Sequence, residues 1–186
     1  LGREVGEYFE NNSQNIVSLD IEDKIKSSDF VLANLEAPIS DSVNEGDDLM
    51  TFIAKTKMLT KVNFINAFSL ANNHINDAGY KGIEESIKNL KANKFGWNGF
   101  YKDKYVPILF EKDSIRCAII CCTDVLNIKI DYKNFKKKLL WLDDQIIDDV
   151  IKEYKEKGYF VFLYVHGGIM FSRYPNPAFR SVLHSK

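Results

Sequence analysis

Three groups of polar residues directly follow apolar, strand-length stretches of this sequence, and together they could hold a metal ion. The groups are Asn34-Leu35-Glu36, Asn72-Asn73-His74 and His166-Gly167-Gly168. Ligand sites of open α/β sheets gather at the carboxyl ends of the strands. A Glu, an Asn and a His delivered to such an edge by separate strands are oxygen and nitrogen donors of the kind that divalent metals use.

Each group also has a structural explanation when it is taken alone. Glu36 at a strand end is consistent with a solvated loop, and Asp77 or Asn76 could cap the helix that follows the second group. His166 and its two glycines could form a plain turn, although glycine also permits close approach of the backbone to a ligand. Capping explains one position and not the run from Asn72 to His74, so the second group is the most specific signal.

The predicted elements that position these groups alternate between strands and helices. Strands are predicted at Phe30–Leu35, Phe64–Leu70, Ile115–Cys122 and Tyr159–Val165. Helical spacing of apolar residues predicts helices around Ile16–Ile25, Ile83–Leu90, Leu139–Lys157 and Ala178–Leu183. Strands separated by helices indicate a layered α/β domain.

Length and charge narrow the class of protein. A chain of 186 residues fits one domain, and 45% hydrophobic residues with 27% charged residues is ordinary globular composition. The formal net charge of −1 argues against a basic groove for nucleic acid. The longest apolar stretches, such as Tyr159–Val165, fall far short of the ~20 residues that span a bilayer.

The cysteines indicate a reducing compartment. All three lie within Cys117–Cys122, too close together for a disulfide framework or a zinc site with paired spacing, so we expect buried strand residues. We therefore expect a cytoplasmic protein or one peripheral to the membrane. Export stays open as an alternative, because Leu1 is not an initiator methionine.

The order of the motifs resembles the bacterial capsule-synthesis protein CapA family, which serves poly-γ-glutamate synthesis and is related to calcineurin-like metallophosphoesterases. The matching segments are Asn34-Leu35-Glu36-Ala37-Pro38-Ile39, Ala71 through Gly82, and His166-Gly167-Gly168. The second segment is long and specific. The resemblance implies an α/β fold in which mixed sheets form a layered, metallophosphatase-like sandwich flanked by helices.

Roles for individual residues follow from the resemblance. It implies Glu36, Asn73 and His166 as ligands of divalent ions, two of them, drawn from Mn, Fe or Zn. It implies His74 as a proton donor, with Asp77 orienting its ring. The residues that it places near substrate are Arg3, Asn34, Asn72 and Gly167.

The sequence departs from the family pattern at several points. The Gly-Asp of the family's first strand would precede Leu1, and its late His-x-His would follow Lys186. Gly167 and Met170 replace a usual Trp and Glu. We therefore expect residues 1–186 to form a single domain of this type that lacks its first strand and its C-terminal part.

The resemblance implies a protein of capsule or extracellular-polymer biosynthesis with a metal-dependent phosphoesterase-like site. Its substrate would be an anionic polymer or a phosphoester, and components of a polymer synthase are possible partners. The alternative is a non-hydrolytic binding module of the same fold that recognises a polyanionic polymer or a synthase partner. A nucleotide or nucleic-acid phosphoesterase would share the site chemistry, but no stripe of aromatic and basic residues supports nucleic acid.

Overall fold

A computed structural model describes residues 3–12, 17–43, 50–127, 138–169, 171–175 and 177–186, which form helices around two small sheets. The helices are α1 (Arg3–Asn11), α2 (Leu19–Lys26), α3 (Gly79–Ala92), α4 (Gln145–Glu156), α5 (Pro177–His184) and a 3₁₀ helix (Thr56–Val62). The strands are β1 (Leu32–Asn34), β2 (Ala67–Ser69), β3 (Gly96–Asn98), β4 (Ile108–Lys112), β5 (Ile115–Thr123) and β6 (Phe160–His166). Among these residues, no helix is long and apolar enough to cross a bilayer.

The first sheet is parallel throughout, in the order β1-β2-β3. Its register sets Asn34 beside Ser69 and Ser69 beside Asn98, so the three strands end at one edge. The loops that carry Glu36 and the Asn72–His74 group therefore start side by side, as strand direction requires.

The second sheet is mixed, in the order β4-β5-β6. β4 and β5 are antiparallel and joined by Asp113 and Ser114, whose φ angles of 48° and 69° are typical of a tight hairpin turn. β5 and β6 are parallel and connected through α4, so His166 lies beside Thr123 at the carboxyl end of the pair. Two small sheets flanked by helices confirm the predicted α/β class and are compatible with a metallophosphatase-like fold.

Two hydrophobic clusters cover opposite faces of β5. Cys121 belongs to a cluster that includes Phe68 of β2 and Ile83 of α3. Its neighbour Cys122 packs with Ile147 of α4 in the second cluster. Because successive side chains of a strand point to opposite faces, β5 is covered on both sides here, which confirms the expected central strand.

The helix predicted at Leu139–Lys157 is shorter in the structure. Leu140 instead donates its N–H to the Gly99 carbonyl (3.0 Å) and accepts from the Thr123 N–H (3.1 Å), so the segment bridges the two sheets. These extended contacts delay the start of α4 to Gln145. The predicted stop is confirmed, because Gly158 follows the helix with a φ of 80°.

The strands and the remaining helices differ from prediction mainly at their ends. β1 and β2 have three residues each, shorter than predicted, and α3 extends beyond Ile83–Leu90 in both directions. α2 covers most of the first predicted helix, although Ile16 lies outside the described residues. α1, β3 and β4 were not predicted.

Candidate metal and proton-transfer site

The three predicted ligands meet where β1, β2 and β6 end. His166 Nε2 lies 2.8 Å from Asn73 Oδ1 and 3.9 Å from Glu36 Oε1. Their side chains reach solvent, with His166 23% and Glu36 46% exposed. The structure therefore brings a carboxylate, an amide oxygen and an imidazole together at an accessible position.

This donor set fits one divalent cation. Donors about 2.1 Å from a shared ion lie roughly 3.0–3.4 Å apart at right-angle or tetrahedral geometry. The separations of 2.8 and 3.9 Å from His166 Nε2 lie on either side of that range. Within the described part of the chain, no three or more His, Cys, Asp or Glu side chains form a group that could hold a metal ion. This site contains two such side chains, Glu36 and His166, and its third donor is an amide oxygen. The second expected ion stays a prediction.

His74 forms a buried pair with Asp77 beside these donors. Its Nδ1 lies 2.8 Å from Asp77 Oδ2, and the side chains are 4% and 0% exposed. Asp77 Oδ2 also accepts the Phe52 backbone N–H at 2.8 Å, and the Phe52 ring packs 4.3 Å from the imidazole. Helix α3 has no side-chain cap. Asp77 thus orients His74 rather than capping the helix.

Asn34 and Asn72 link the groups by hydrogen bonds. Asn72 Nδ2 donates to Asn34 Oδ1 (3.1 Å) and to the Leu35 carbonyl (2.8 Å). Asn34 Nδ2 donates to Glu36 Oε2 (2.9 Å) and lies 3.3 Å from His166 Nδ1. Asn72 is 0% exposed, which leaves no face of this predicted substrate contact available to a ligand.

Burial lowers the pKa of His166, and the nearby His74 lowers it further. The Glu36 carboxylate opposes both effects and raises it. Because burial is the largest influence, the imidazole favours its neutral form, which is the form that binds metals.

Arg3 and Gly167 are the other two predicted substrate contacts, and the structure describes the surroundings of Gly167 only. Arg3 is the first residue of α1, and its side chain lies outside what the structure describes. Gly167 follows β6, where a Cβ atom would overlap the Asp124 carboxylate and lie 2.8 Å from the Phe179 ring. Only glycine therefore fits this turn without a shift of its neighbours.

Sequence reasoning missed Asp124 and Asn127. Asp124 Oδ1 accepts the Gly168 N–H at 3.1 Å and so fixes the turn after His166. Asn127 Oδ1 accepts from Asn73 Nδ2 at 3.2 Å, which aims Asn73 Oδ1 at the imidazole. Both follow the carboxyl end of β5, the same signal that revealed the other three groups.

A cavity of about 630 Å³ opens beside Glu36, the one of the three donors that lines it. Glu36 and Asn34 line one part of it, and Phe52, Val62 and Phe68 contribute apolar walls. Pockets that bind small molecules commonly have this size and this mixture of apolar walls with few polar groups.

Comparison with known proteins gives a consistent family match. The family described as bacterial capsule synthesis protein PGA_cap matches residues 1–185. The PGA biosynthesis protein CapA of Bacillus subtilis (strain 168) is 26% identical over 187 residues, covering 95% of this chain and 48% of its own length. The capsule biosynthesis protein CapA of Bacillus anthracis is 28% identical over 133 residues, covering 67% of this chain and 32% of its own length. The chain thus spans half or less of these relatives.

Proposed function

Because the chain belongs to the family of bacterial capsule synthesis proteins, we propose that it serves capsule biosynthesis through a metal-dependent, phosphoesterase-like site. The observation that carries this proposal is the convergence of Glu36 Oε1, Asn73 Oδ1 and His166 Nε2 beside the His74–Asp77 pair. These groups lie at the ends of three separate strands, an arrangement that packing alone does not demand.

The protein's part in the reaction is to hold the ion and to supply a proton. A divalent cation held by the three donors would polarise a phosphoryl oxygen and activate water for attack on phosphorus. The Asp77 carboxylate keeps a proton on His74 Nδ1, so Nε2 would take up a second proton from solvent and then pass that proton to a leaving group.

The substrate of this site would be a phosphoester or an anionic polymer bearing one. The cavity beside Glu36 and Asn34 has room for a group attached to the reacting phosphate. Both curated relatives are named for biosynthesis of a capsule or of PGA, which supports a polymer-linked substrate. We extend the proposal to contact with components of a polymer synthase.

One observation favours the alternative, a binding module without hydrolysis. His74 is only 4% exposed, and Phe52 packs against its ring, so the imidazole is shielded from solvent. An enzyme of this kind must open that contact to let Nε2 reach a substrate. A binding module needs no such movement.

Two measurements test the proposal. Titration calorimetry with Mn²⁺ should detect a site that E36Q and H166Q each weaken, because E36Q removes the carboxylate charge and H166Q removes the imidazole nitrogen. A chromogenic phosphodiester should then be hydrolysed by the parent protein in the presence of Mn²⁺. The matched controls are E111Q and H184Q, which change residues of the same types away from the three strand ends.

The outcomes separate the two functions. Equal Mn²⁺ affinity in the parent protein and in E36Q would overturn the metal site. Mn²⁺ binding without hydrolysis of any phosphoester, together with binding of poly-γ-glutamate, would replace the enzyme by the binding module.

A further inference from the structure

The amide of Asn72 has one possible orientation, because two backbone groups fix it. The His74 N–H can only donate, and it donates to Asn72 Oδ1 at 3.1 Å. The Leu35 carbonyl can only accept, and it accepts from Asn72 Nδ2 at 2.8 Å. Asn72 is 0% exposed, so water cannot substitute for either partner.

The orientation of Asn72 determines that of Asn34. The second hydrogen of Asn72 Nδ2 points at Asn34 Oδ1, 3.1 Å away, so that atom must be the oxygen. The Asn34 NH₂ group then faces two acceptors, Glu36 Oε2 at 2.9 Å and His166 Nδ1 at 3.3 Å. If the oxygen and nitrogen of Asn34 were exchanged, its NH₂ group would face the NH₂ group of Asn72, and its oxygen would face Glu36 Oε2. Neither pair could form a hydrogen bond.

The orientation of Asn34 in turn determines which nitrogen of His166 carries the proton. Nδ1 faces a donor and must accept, so the proton of the neutral ring lies on Nε2, which lies 2.8 Å from Asn73 Oδ1. His74 shows the opposite arrangement, because its Nδ1 faces the Asp77 carboxylate and must donate.

We propose that Asn34, held by Asn72, is a positioning residue that keeps His166 in the Nε2–H form and thereby restrains binding of a divalent cation at Nε2. The cation needs the lone pair of Nε2, so the proton must move to Nδ1, where it would face the Asn34 NH₂ group. The part of this inference that concerns the cation rests on the proposed function. The part that concerns the proton does not.

The proton is located by NMR without any metal. Long-range ¹H–¹⁵N spectra at pH 8 in a chelator distinguish the two neutral forms of each histidine, and the chain has only three. H166Q and H184Q assign the signals. We expect Nε2–H for His166 and Nδ1–H for His74 in the parent protein, and Nδ1–H for His166 in N34D, where a carboxylate oxygen replaces the amide nitrogen.

The effect on the cation is measured by calorimetry with Zn²⁺ alone. N34D should bind Zn²⁺ roughly 10- to 100-fold more tightly than the parent protein, the range that neighbours of metal ligands control. N127D is the control for charge, because it adds a carboxylate near Asn73 without facing His166 Nδ1, and it should gain less than N34D.

The NMR spectra test the position of the proton, and calorimetry tests its effect on the cation. His166 with its proton on Nδ1 in the parent protein overturns the proposal, and this spectrum needs no variant at position 34 to fold. An unchanged Nε2–H form in N34D also overturns it. Equal gains in N34D and N127D overturn the restraint on the cation, as does absence of Zn²⁺ binding in both the parent protein and N34D. That last result would also remove the proposed function, while the proton assignment would stand on the spectra.

Discussion

Asp77 Oδ2 lies 2.8 Å from His74 Nδ1 inside the protein, and the same oxygen accepts the Phe52 N–H. One carboxylate therefore orients an imidazole and anchors a neighbouring loop. D77N keeps an oxygen that can accept from both donors, but it replaces a carboxylate by a neutral amide, so both hydrogen bonds lose their charge assistance. We expect the free energy of unfolding to fall by about 1–3 kcal/mol, measured by urea denaturation.

The control for this prediction is D103N, at an exposed loop position. It should change the free energy of unfolding by no more than ~0.5 kcal/mol. Equal stability of D77N and the parent protein would show that the buried pair does not stabilise the fold.

Substitutions of His74 and of Asn73 should affect different quantities, turnover in the first case and Mn²⁺ affinity in the second. In H74A, metal-dependent turnover of a chromogenic phosphodiester should drop roughly 10²–10⁴-fold while Mn²⁺ affinity stays nearly intact, because the ring supplies a proton and not a ligand. N73A should lose Mn²⁺ affinity instead. Loss of Mn²⁺ affinity in H74A with turnover restored at saturating Mn²⁺ would contradict the division of roles.

Cys121 and Cys122 should react slowly with thiol reagents. Burial raises the pKa of each from 9.0 to about 12, so both remain neutral thiols at pH 8. Labelling at pH 8 should modify Cys117, which is partly exposed, before either buried thiol. Simultaneous labelling of all three would contradict the central position of β5.

The same pKa shifts predict how stability depends on alkaline pH. Each thiol loses its proton more readily in the unfolded chain, where its pKa is about 9.0, than in the folded protein, where its pKa is about 12. The free energy of unfolding is therefore unaffected by these thiols below pH 9.0 and falls as the pH rises from 9.0 toward 12. In C121A the free energy of unfolding should therefore decrease less steeply above pH 9 than in the parent protein. This difference in slope does not depend on how much the substitution destabilises the protein at neutral pH. Thermal melts across pH 8–10.5 measure this slope as the change of Tm with pH in the two proteins.

Ser86 should stabilise the loop that follows Glu36. Its Oγ accepts the buried Ile39 N–H at 2.7 Å and donates to the Gly82 carbonyl at 2.6 Å. In S86A the Ile39 N–H stays buried without that acceptor, so we expect a loss of about 1–3 kcal/mol in urea denaturation. S27A is the control, because its hydroxyl bonds the Lys24 carbonyl at the surface. Similar losses in both variants would refute the role of Ser86.

The sequence predicted the meeting of the three polar groups better than it predicted the sheets around them. The polar groups after Leu35, Leu70 and Val165 were recognisable because polar runs at buried strand ends are costly without a purpose. β3 was not, because Gly96–Asn98 has no apolar alternation and is a strand only through pairing with β2.

The orientation of side chains was also beyond the sequence. Asn72 and Asn73 are adjacent amides, yet the Asn72 side chain is fully buried and the Asn73 side chain points toward His166. The difference arises from a backbone carbonyl and from Asn127, partners that only the folded chain brings close. A pattern of residue types contains no information on which of two identical side chains turns inward.

The contact between Asn34 and His166 joins residues 132 positions apart. Closing a loop of that length loses more chain entropy than pairing neighbouring strands, so we expect β1 and β6 to come together late in folding. During synthesis at the ribosome, Asn34 emerges 132 residues before His166. In a nascent or partly folded chain these two side chains are therefore apart, and they meet only when both sheets are in place.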